Sequence, residues 1–398
     1  MKIKIIEAAS ELGLGGTEYV IQLYSKYLNK DHFDILVVGL YAGGERVKLI
    51  EQLGVRVQVL DGDLLQLASL LRETDVFHWH GAGTMDPLLL RTIWANKPRM
   101  VIQTNIFGLY HHSNQYDAID YDLYVSKMIL IRRMQEDRYL RNKFEYKRKV
   151  LYNPVDVDAM DQMCPSEAQV QDFKEREEIN GYFIVGRIGR ADDHKFDPIT
   201  LIGFAGFAKK VKNARFLLVG VTPNMLQFAR QLEILDKLII FDNTPDLAQL
   251  LLFYRSMDVF LAASSMGESF GLVIAEAMHS GLPVVTISTP DRDNAQIELV
   301  DNEKTGLVVE RHVNKISDAL SFLHQNEQIR KAYGAAAKEK VRREYKAQDI
   351  VASLENLIYR HLQLSHQHTP KSSLSDFSVQ ALYDYMNRCK NLWPTPIE

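Results

Sequence analysis

The segment from Gly267 to Met278 has the sequence GESFGLVIAEAM, and GLPVV follows at Gly281 to Val285. A glycine-containing turn comes first and apolar residues at helical spacing come next, so the segment predicts a loop that leads into a helix. Glu268 lies in the loop, and Glu276 lies about a turn and a half inside the helix. The N–H groups of a helix's first turn favour an anion. An anion site flanked by two carboxylates that can accept from hydroxyls predicts a nucleotide-sugar site.

This segment resembles the Glu-x7-Glu motif of the retaining glycosyltransferases of family 4. The alternative is a helix with acidic residues at chance positions, which leaves the glycine-rich loop unexplained. The resemblance implies the GT-B fold, in which two Rossmann-like α/β domains with parallel sheets face each other across a cleft. It also implies that Glu268 binds hydroxyls of the donor sugar and Glu276 the ribose. The other implied donor-binding residues of the segment are Ser269, Phe270, Gly271, Leu272 and Val273, with the amides from Phe270 onward on the diphosphate.

Length and composition are consistent with a two-domain enzyme. The chain has 398 residues, more than one hydrophobic core usually serves. Its 46% hydrophobic and 25% charged residues are ordinary for a globular protein, and a net charge of −4 gives no global attraction to nucleic acid. Residues 1–6 lead into a strand-like segment without a signal-peptide pattern, and no stretch approaches about 18 apolar residues. We therefore expect a cytoplasmic protein that does not bind nucleic acid.

Strand-like runs alternate with helical runs, which predicts α/β layers with parallel sheets. The alternation restarts after Asn153-Pro154. Strands are predicted in the first half at Ile3 to Ala8, Phe33 to Gly39, Arg56 to Leu60, Val76 to His80, Val101 to Thr104 and Leu123 to Val125, and in the second half at Tyr182 to Ile188, Phe216 to Val219, Leu238 to Phe241, Val259 to Ala262, Val284 to Thr286 and Gly306 to Val309. We expect an acceptor domain at 1–155 and a nucleotide-sugar domain at 156–374. The resemblance implies that a C-terminal helix at 375–398 packs back onto the first domain.

A glycine cluster follows the first predicted strand, with the sequence GLGGTE from Gly13 to Glu18. A dinucleotide fingerprint is disfavoured because Glu18 stands where its third glycine is needed and no acidic residue ends the second strand. The cluster resembles the family's Gly-Gly-x-Glu loop, which implies that Gly15 and Gly16 let the backbone approach the donor phosphate and the acceptor. The alternative is a tight strand-to-helix turn that needs a positive φ.

Cationic residues follow the first strand of the second half, in VGRIGRADDHK from Val185 to Lys195. Cations just beyond a strand end can neutralise a leaving diphosphate. The segment resembles the family's Gly-Arg loop with a lysine five residues later. Arg187 and Arg190 both follow a glycine, but only Arg190 has Lys195 at the family spacing. We therefore assign Arg190, Lys195 and Glu268 as catalytic residues, and interpret Arg187 as an inward-facing structural arginine at the strand end.

Other candidate sites are weaker. Many relatives place a donor-contacting histidine where this chain has Asn105, which becomes the candidate for that contact. His78 and His80 share one face of a strand, as a metal pair needs, but no third ligand is evident and we interpret His80 as a core or cleft-lining residue. Asp-x-Asp occurs at four places, too often to carry meaning. We predict no metal site and no required cofactor, with Mg²⁺ optional.

The segment from Lys127 to Lys149 contains nine basic and three acidic residues. One interpretation is a peripheral contact with an anionic acceptor or membrane surface, and the other is a solvated helix face. Cys164 and Cys389 have no metal-type spacing, and we expect free thiols rather than a disulfide.

Together these patterns predict a retaining hexosyltransferase. The donor would be a UDP- or GDP-sugar and the acceptor a hydroxyl of a sugar, lipid-linked or protein molecule, in glycan or glycoconjugate synthesis. Two other classes stay open. One is a nucleotide-sugar epimerase or sugar phosphorylase of similar fold, and the other is a non-catalytic sugar-nucleotide-binding partner subunit.

Overall fold

The structure is a computed structural model that describes residues 2–109, 114–136 and 147–364, with 134–136 described by their backbone only. These residues form two compact units. The first unit runs to Pro154 and resumes at Tyr345, and the second is Val155–Glu344. Each unit contains one parallel sheet with helices between successive strands, so the predicted α/β fold class is confirmed. No helix among the described residues is long and apolar enough to span a membrane.

The first unit contains a seven-stranded sheet in the order β3-β2-β1-β4-β5-β6-β7. Its strands are β1 (Ile3–Ala9), β2 (Phe33–Gly39), β3 (Arg56–Val59), β4 (Val76–Gly81), β5 (Met100–Asn105), β6 (Tyr121–Tyr124) and β7 (Arg148–Val150). Its helices before residue 137 are α1 (Gly16–Tyr27), α2 (Arg46–Glu51), α3 (Leu64–Arg72), α4 (Pro87–Ala95) and α5 (Lys127–Glu136). The strand order reverses between β1 and β4, and ligands of open α/β sheets bind beyond the strand ends at such a point.

The second unit contains a six-stranded sheet in the order β10-β9-β8-β11-β12-β13. Its strands are β8 (Phe183–Ile188), β9 (Ala214–Val219), β10 (Leu238–Phe241), β11 (Val259–Ala262), β12 (Val284–Ser288) and β13 (Gly306–Glu310). Its helices are α6 (Val157–Gln162), α7 (Glu167–Arg176), α8 (Ile199–Lys210), α9 (Pro223–Gln231), α10 (Leu247–Arg255), α11 (Leu272–His279), α12 (Gln296–Leu299), α13 (Val313–Gln325) and α14 (Glu327–Glu344). Here the order reverses between β8 and β11.

The core of the second unit holds β8 in place. All six residues of β8 are buried, as expected for a central parallel strand covered on both faces. Aromatic rings of α8 pack on the sheet, with the Phe204 ring 4.7 Å from the Phe216 ring. On its other side α8 approaches α13 so closely that a Cβ at Gly203 would lie 2.6 Å from the Ile316 Cγ2 atom. The loop that leaves β8 therefore starts from a fixed strand end.

The helix α15 (Ala347–His361) belongs to the first unit although it follows the second in sequence. Its Tyr359 hydroxyl lies 3.0 Å from His32 Nδ1, and its Tyr359 ring lies 5.6 Å from the Phe33 ring. The chain thus returns to the first unit through this helix. The predicted helix at 375–398 lies outside the described residues.

Candidate active site

Two loops of the second unit meet where its strand order reverses. The cation loop, residues 189–195, follows β8, and the acidic loop, residues 263–271, follows the neighbouring strand β11. Lys195 Nζ lies 3.2 Å from Glu268 Oε2, and the two side chains are 39% and 14% exposed. The structure thereby brings a predicted leaving-group cation together with a predicted sugar-binding carboxylate, at a position where open parallel sheets bind ligands.

Arg187, near the end of β8, is a second cation close to this pair. Its side chain is buried, and its guanidinium carbon lies 5.1 Å from the centre of the Phe196 ring. Burial lowers the pKa of Arg187 to about 10, a shift that the negative charge of Glu268 opposes. The guanidinium is therefore still charged at pH 7, while its Nη1 is buried without a hydrogen-bond partner among the described residues. A buried charged donor without an acceptor favours an anionic ligand.

Arg190 lies on the outer part of the cation loop. Its side chain is exposed, and within the described part of the chain its guanidinium makes no hydrogen bond or ion pair. Its carbonyl accepts a hydrogen bond from the Asp192 N–H at 2.9 Å. The inward orientation predicted for Arg187 agrees with its burial, but its electrostatic interaction with Glu268 was not foreseen. The leaving-group role of Arg190 is not tested by these contacts, and the buried cation Arg187 is a second candidate for it.

The acidic loop depends on two glycines. Gly267 has a φ of 73°, and a Cβ there would lie 1.7 Å from the Asp293 carbonyl oxygen. Gly271 has a φ of 102° and is the N-cap of α11, so among the described residues no side chain caps this helix. The positive end of α11 is therefore available to an anion. Of the predicted donor-binding residues in this stretch, Phe270 and Gly271 are buried, whereas Ser269, Leu272 and Val273 are partly exposed.

Glu276 lies on the first turns of α11 with its carboxylate held by Tyr254, the penultimate residue of α10. The Tyr254 hydroxyl donates to Glu276 Oε2 at 3.0 Å and lies 3.2 Å from the Val273 carbonyl oxygen. Desolvation raises the pKa of Glu276 to about 7, although the hydrogen bond from Tyr254 opposes the shift. Perturbed carboxyl groups of this kind are common at functional sites. Its environment makes Glu276 a carboxylate whose charge changes near neutral pH.

A buried polar cluster supports the backbone of Glu268. The Glu268 N–H donates to Gln296 Oε1 at 3.2 Å, and the Glu268 carbonyl accepts from the Ala295 N–H at 2.8 Å. Gln296 is itself fixed, because its Nε2 donates to the Ile287 carbonyl and to Thr289 Oγ1, both at 2.8 Å. The sequence analysis did not identify Gln296, since no local motif links it to a loop 28 residues away.

Gly15 and Gly16 lie at the start of α1 in the first unit, beyond the end of β1. Gly15 is the N-cap with φ −76°, and Gly16 is the first helical residue. Neither has a positive φ, so the alternative of a turn that requires one is wrong. Because its N-cap is a glycine, α1 has no capping side chain of its own among the described residues. The proposed approach of this backbone to a ligand stays a prediction.

Asn105 is the last residue of β5, and its side chain is hydrogen-bonded within the first unit. Its Nδ2 donates to the Leu109 carbonyl at 2.8 Å and to Asp122 Oδ1 at 3.1 Å. Its Oδ1 accepts from the Gly108 N–H at 2.7 Å. The carboxamide is buried and both of its ends are used in the loop and sheet. We therefore leave Asn105 out of the proposed donor site.

His78 and His80 do have a third potential ligand nearby, contrary to the sequence expectation. Glu7 on β1 is buried with them, and its Oε2 lies 2.6 Å from His80 Nε2 and 3.0 Å from His78 Nδ1. Ligands of a tetrahedral zinc ion lie about 3.3 Å apart, whereas these separations are those of hydrogen bonds. Burial raises the pKa of Glu7, but the two histidines outweigh it and lower that pKa to about 2. Internal hydrogen bonding accounts for the cluster, consistent with a core role for His80.

Part of the basic segment from Lys127 to Lys149 lies outside the described residues, at 137–146. Of its six described basic residues, Lys147 and Arg148 are buried, and Lys147 Nζ lies 3.7 Å from Asp117 Oδ1. The remaining four are partly exposed. Membrane contact through this segment stays a prediction. Cys164 is an exposed free thiol, as expected, and Cys389 is not among the described residues.

Comparison with known families finds a match in the second unit. Residues 169–340 match the sequence model of the glycosyl transferases group 1. This stretch contains the cation loop, the acidic loop, Arg187, Glu276 and Gln296. All second-unit residues discussed above for the candidate site therefore lie inside the matched region.

Curated relatives match over similar lengths. The phosphatidyl-myo-inositol mannosyltransferase of Mycobacterium leprae is 32% identical over 184 residues, which cover 45% of this chain and 48% of that protein. The N-acetyl-alpha-D-glucosaminyl L-malate synthase of Bacillus anthracis is 30% identical over 159 residues, covering 38% of this chain and 40% of that protein. The chain thus spans about half the length or less of these two relatives.

Solved structures match over nearly the whole chain. The Anabaena protein HepE in complex with UDP and glucose has a TM-score of 0.73 at 17% identity, covering 90% of this chain and 100% of that one. A glycosyltransferase from Rickettsia africae has a TM-score of 0.72 at 18% identity, and the match covers 92% of this chain and 100% of that one. These similarities concern the fold. The chain therefore has the predicted GT-B fold, and its residues 169–340 match the glycosyl transferases group 1 family.

Proposed function

We propose that this chain is a retaining glycosyltransferase of family 4 that moves a hexose from a nucleoside-diphosphate sugar to an acceptor hydroxyl. The observation that carries the proposal is the pairing of Lys195 with Glu268 beside the buried cation Arg187. Two cations and the positive end of α11 suit a diphosphate, and Glu268 and Glu276 suit sugar hydroxyls. The family match over this same region supports the assignment.

The donor is proposed to lie along the acidic loop and the start of α11. Backbone amides from Phe270 to Val273 would bind the diphosphate, as helix N-termini commonly do. Glu268 would accept hydrogen bonds from hydroxyls of the sugar, and Glu276 from those of the ribose. The Anabaena neighbour was solved with UDP and glucose, which makes a UDP-hexose the first donor to test.

The leaving group is where the cations act. When the bond between the anomeric carbon and the diphosphate oxygen breaks, negative charge develops on the phosphate, and fixed cations stabilise it. We assign this role to Lys195, which pairs with Glu268, and to the buried Arg187, whose charge interacts with that of Glu268, rather than to the exposed Arg190. The anomeric carbon then bonds to the acceptor oxygen, whose proton passes to the departing phosphate. Under this proposal no divalent metal is required, and Mg²⁺ is optional.

The acceptor is proposed to bind in the first unit, near the glycines Gly15 and Gly16 that follow β1. This loop follows β1 beside the strand-order reversal between β1 and β4, and the general preference of ligands for such positions in open sheets supports the proposal. The acceptor is proposed to be a sugar, lipid-linked or protein hydroxyl.

A thermal-shift panel of UDP-, GDP- and ADP-sugars tests the donor, because a ligand that binds only the native state raises its stability. The best donor is then incubated alone, with phosphate, and with candidate acceptors. Release of nucleoside diphosphate that depends on an acceptor supports the proposal. Conversion of the donor alone would indicate an epimerase, dependence on phosphate a phosphorylase, and binding without any turnover a non-catalytic subunit.

A further inference from the structure

The cation loop is held in place by side chains that come from other strand ends. Asn243 follows β10, two strands away from β8 in the sheet. Its Nδ2 donates to the Gly189 carbonyl at 2.7 Å, and its Oδ1 accepts from the Ala191 N–H at 3.2 Å. One carboxamide therefore bonds both a carbonyl and an amide of the loop. Among the described side chains, only that of Asn243 hydrogen-bonds to the backbone of residues 189–191.

Gly220 makes this contact sterically feasible. It follows β9, which lies between β8 and β10, and has a φ of 77°. A Cβ at this position would lie 2.0 Å from the Gly189 carbonyl oxygen and 2.6 Å from Asn243 Nδ2. The close approach of three strand ends therefore depends on a glycine between the loop and Asn243.

The far end of the cation loop has separate attachments. Asp193 accepts a hydrogen bond from Asn224 Nδ2 at 2.6 Å and another from the Thr222 hydroxyl. The Ser265 N–H donates to the Lys195 carbonyl at 3.1 Å. Asn243 therefore fixes the beginning of the loop, while these contacts fix its end, next to Lys195.

We infer that Asn243 is a positioning residue, which holds the beginning of the cation loop and thereby limits the movement of Lys195 at its other end before the donor binds. The inference rests on the proposed function. Preorganised charges stabilise a transition state without reorganising during the reaction. A displacement of about 1 Å can reduce a rate by about 10²-fold. Asn243 is exposed, so its loss is expected to affect loop order more than folding.

The test replaces Asn243 by alanine, with Asn314→Ala as the matched control, because Asn314 is an exposed asparagine of α13 in the same unit. Hydrogen exchange is followed on peptides covering residues 187–196. Turnover is measured as release of nucleoside diphosphate from UDP-glucose or GDP-mannose, whichever the wild-type chain uses faster. For Asn243→Ala we expect about tenfold faster exchange in this segment, and a kcat about 10- to 100-fold lower with a donor KM within about threefold. Asn314→Ala should change none of these.

A double variant separates positioning from a general structural effect. If Asn243 acts through the cation loop, Asn243→Ala should lower kcat much less in a Lys195→Ala background, because the two changes then remove one shared effect. Three results would each overturn the inference: unchanged hydrogen exchange of residues 187–196 in Asn243→Ala, an unchanged kcat in that variant, or losses of kcat that are fully additive in the double variant. Full activity of Lys195→Ala itself, or wild-type inactivity with every donor, would instead contradict the proposed function, and hydrogen exchange would still decide whether Asn243 orders the loop.

Discussion

Replacing Tyr254 by phenylalanine should raise the pH at which the chain acquires affinity for its nucleotide sugar. The Tyr254 hydroxyl donates to the Glu276 carboxylate at 3.0 Å, and this bond opposes the desolvation that raises the pKa of Glu276 to about 7. A hydrogen bond to a charged group contributes about 1.5–3 kcal/mol. Since one pKa unit corresponds to about 1.4 kcal/mol, loss of this bond should raise the Glu276 pKa by about 1 to 2 units.

The direction of the pH effect follows from the role proposed for Glu276. Ribose hydroxyls donate to its ionised form, so affinity should fall as the pH falls through the pKa of about 7. About one pH unit below that pKa, roughly one tenth of Glu276 is ionised, and binding should be weaker by up to about tenfold than at high pH. In Tyr254→Phe the same loss should already occur near neutral pH.

Calorimetric titration of the preferred nucleotide sugar from about pH 5.5 to about pH 8.5 measures this effect, because a sugar-capped diphosphate does not ionise in that range. Glu276→Gln is the control, since it has no carboxylate to titrate and should bind with little pH dependence. The reasoning would be refuted if affinity fell at the same midpoint pH in the wild type and Tyr254→Phe, or if wild-type affinity did not change with pH.

Arg187→Ala should lower turnover by about 10²- to 10³-fold while Arg190→Ala keeps most of it, because Arg187 is buried and interacts electrostatically with Glu268 whereas Arg190 is exposed. Steady-state rates of both variants decide, and the opposite ranking would assign the role to Arg190. Glu268→Ala should lose about 1.5–3 kcal/mol of affinity for the intact donor with little change for the nucleoside diphosphate. Calorimetry that finds equal losses for both ligands would exclude a sugar contact. Exhaustive EDTA treatment should leave transfer active, because Lys195, Arg187 and the start of α11 supply positive potential beside the diphosphate. Activity that is abolished by EDTA and restored by Mn²⁺ would contradict this prediction.

The strands were predictable because central parallel strands are buried on both faces and appear as apolar runs. All twelve predicted strands overlap observed ones. The short polar strand β7 was missed, since three residues with the sequence RKV carry no such signal. The sequence analysis also did not use Asp63 as a start signal for α3, although its carboxylate caps the helix by accepting from the Leu65 and Gln66 amides.

Contacts between distant segments were not predictable. The apolar face of α15 indicates burial but not that the helix packs in the first unit. The charges of Arg187 and Glu268 interact because β8 and β11 are neighbouring strands, and strand order is not determined by local sequence. Glu7 lies beside His78 for the same reason, since the two residues are paired in the register of β1 and β4.

The sequence motifs therefore identified the loops that form the candidate site, and the fold determined which of their residues meet. Lys195 and Glu268 were both predicted from local patterns, and they form an ion pair. Asn105 was predicted from its position at a strand tip, but the hydrogen bonds that occupy its carboxamide become visible only when β5 and β6 are paired.

The central claim is transfer from a nucleotide sugar with retention of the anomeric configuration. It can be tested without knowing the acceptor, because water can slowly replace it. The chain is incubated with the nucleoside-diphosphate-α-hexose that gives the largest thermal shift, and the released hexose is followed by proton NMR before its anomers equilibrate. We expect the α-anomer to appear first, with Lys195→Ala strongly slowed. Initial release of the β-anomer, or a rate unaffected by loss of Lys195, would contradict the proposed mechanism.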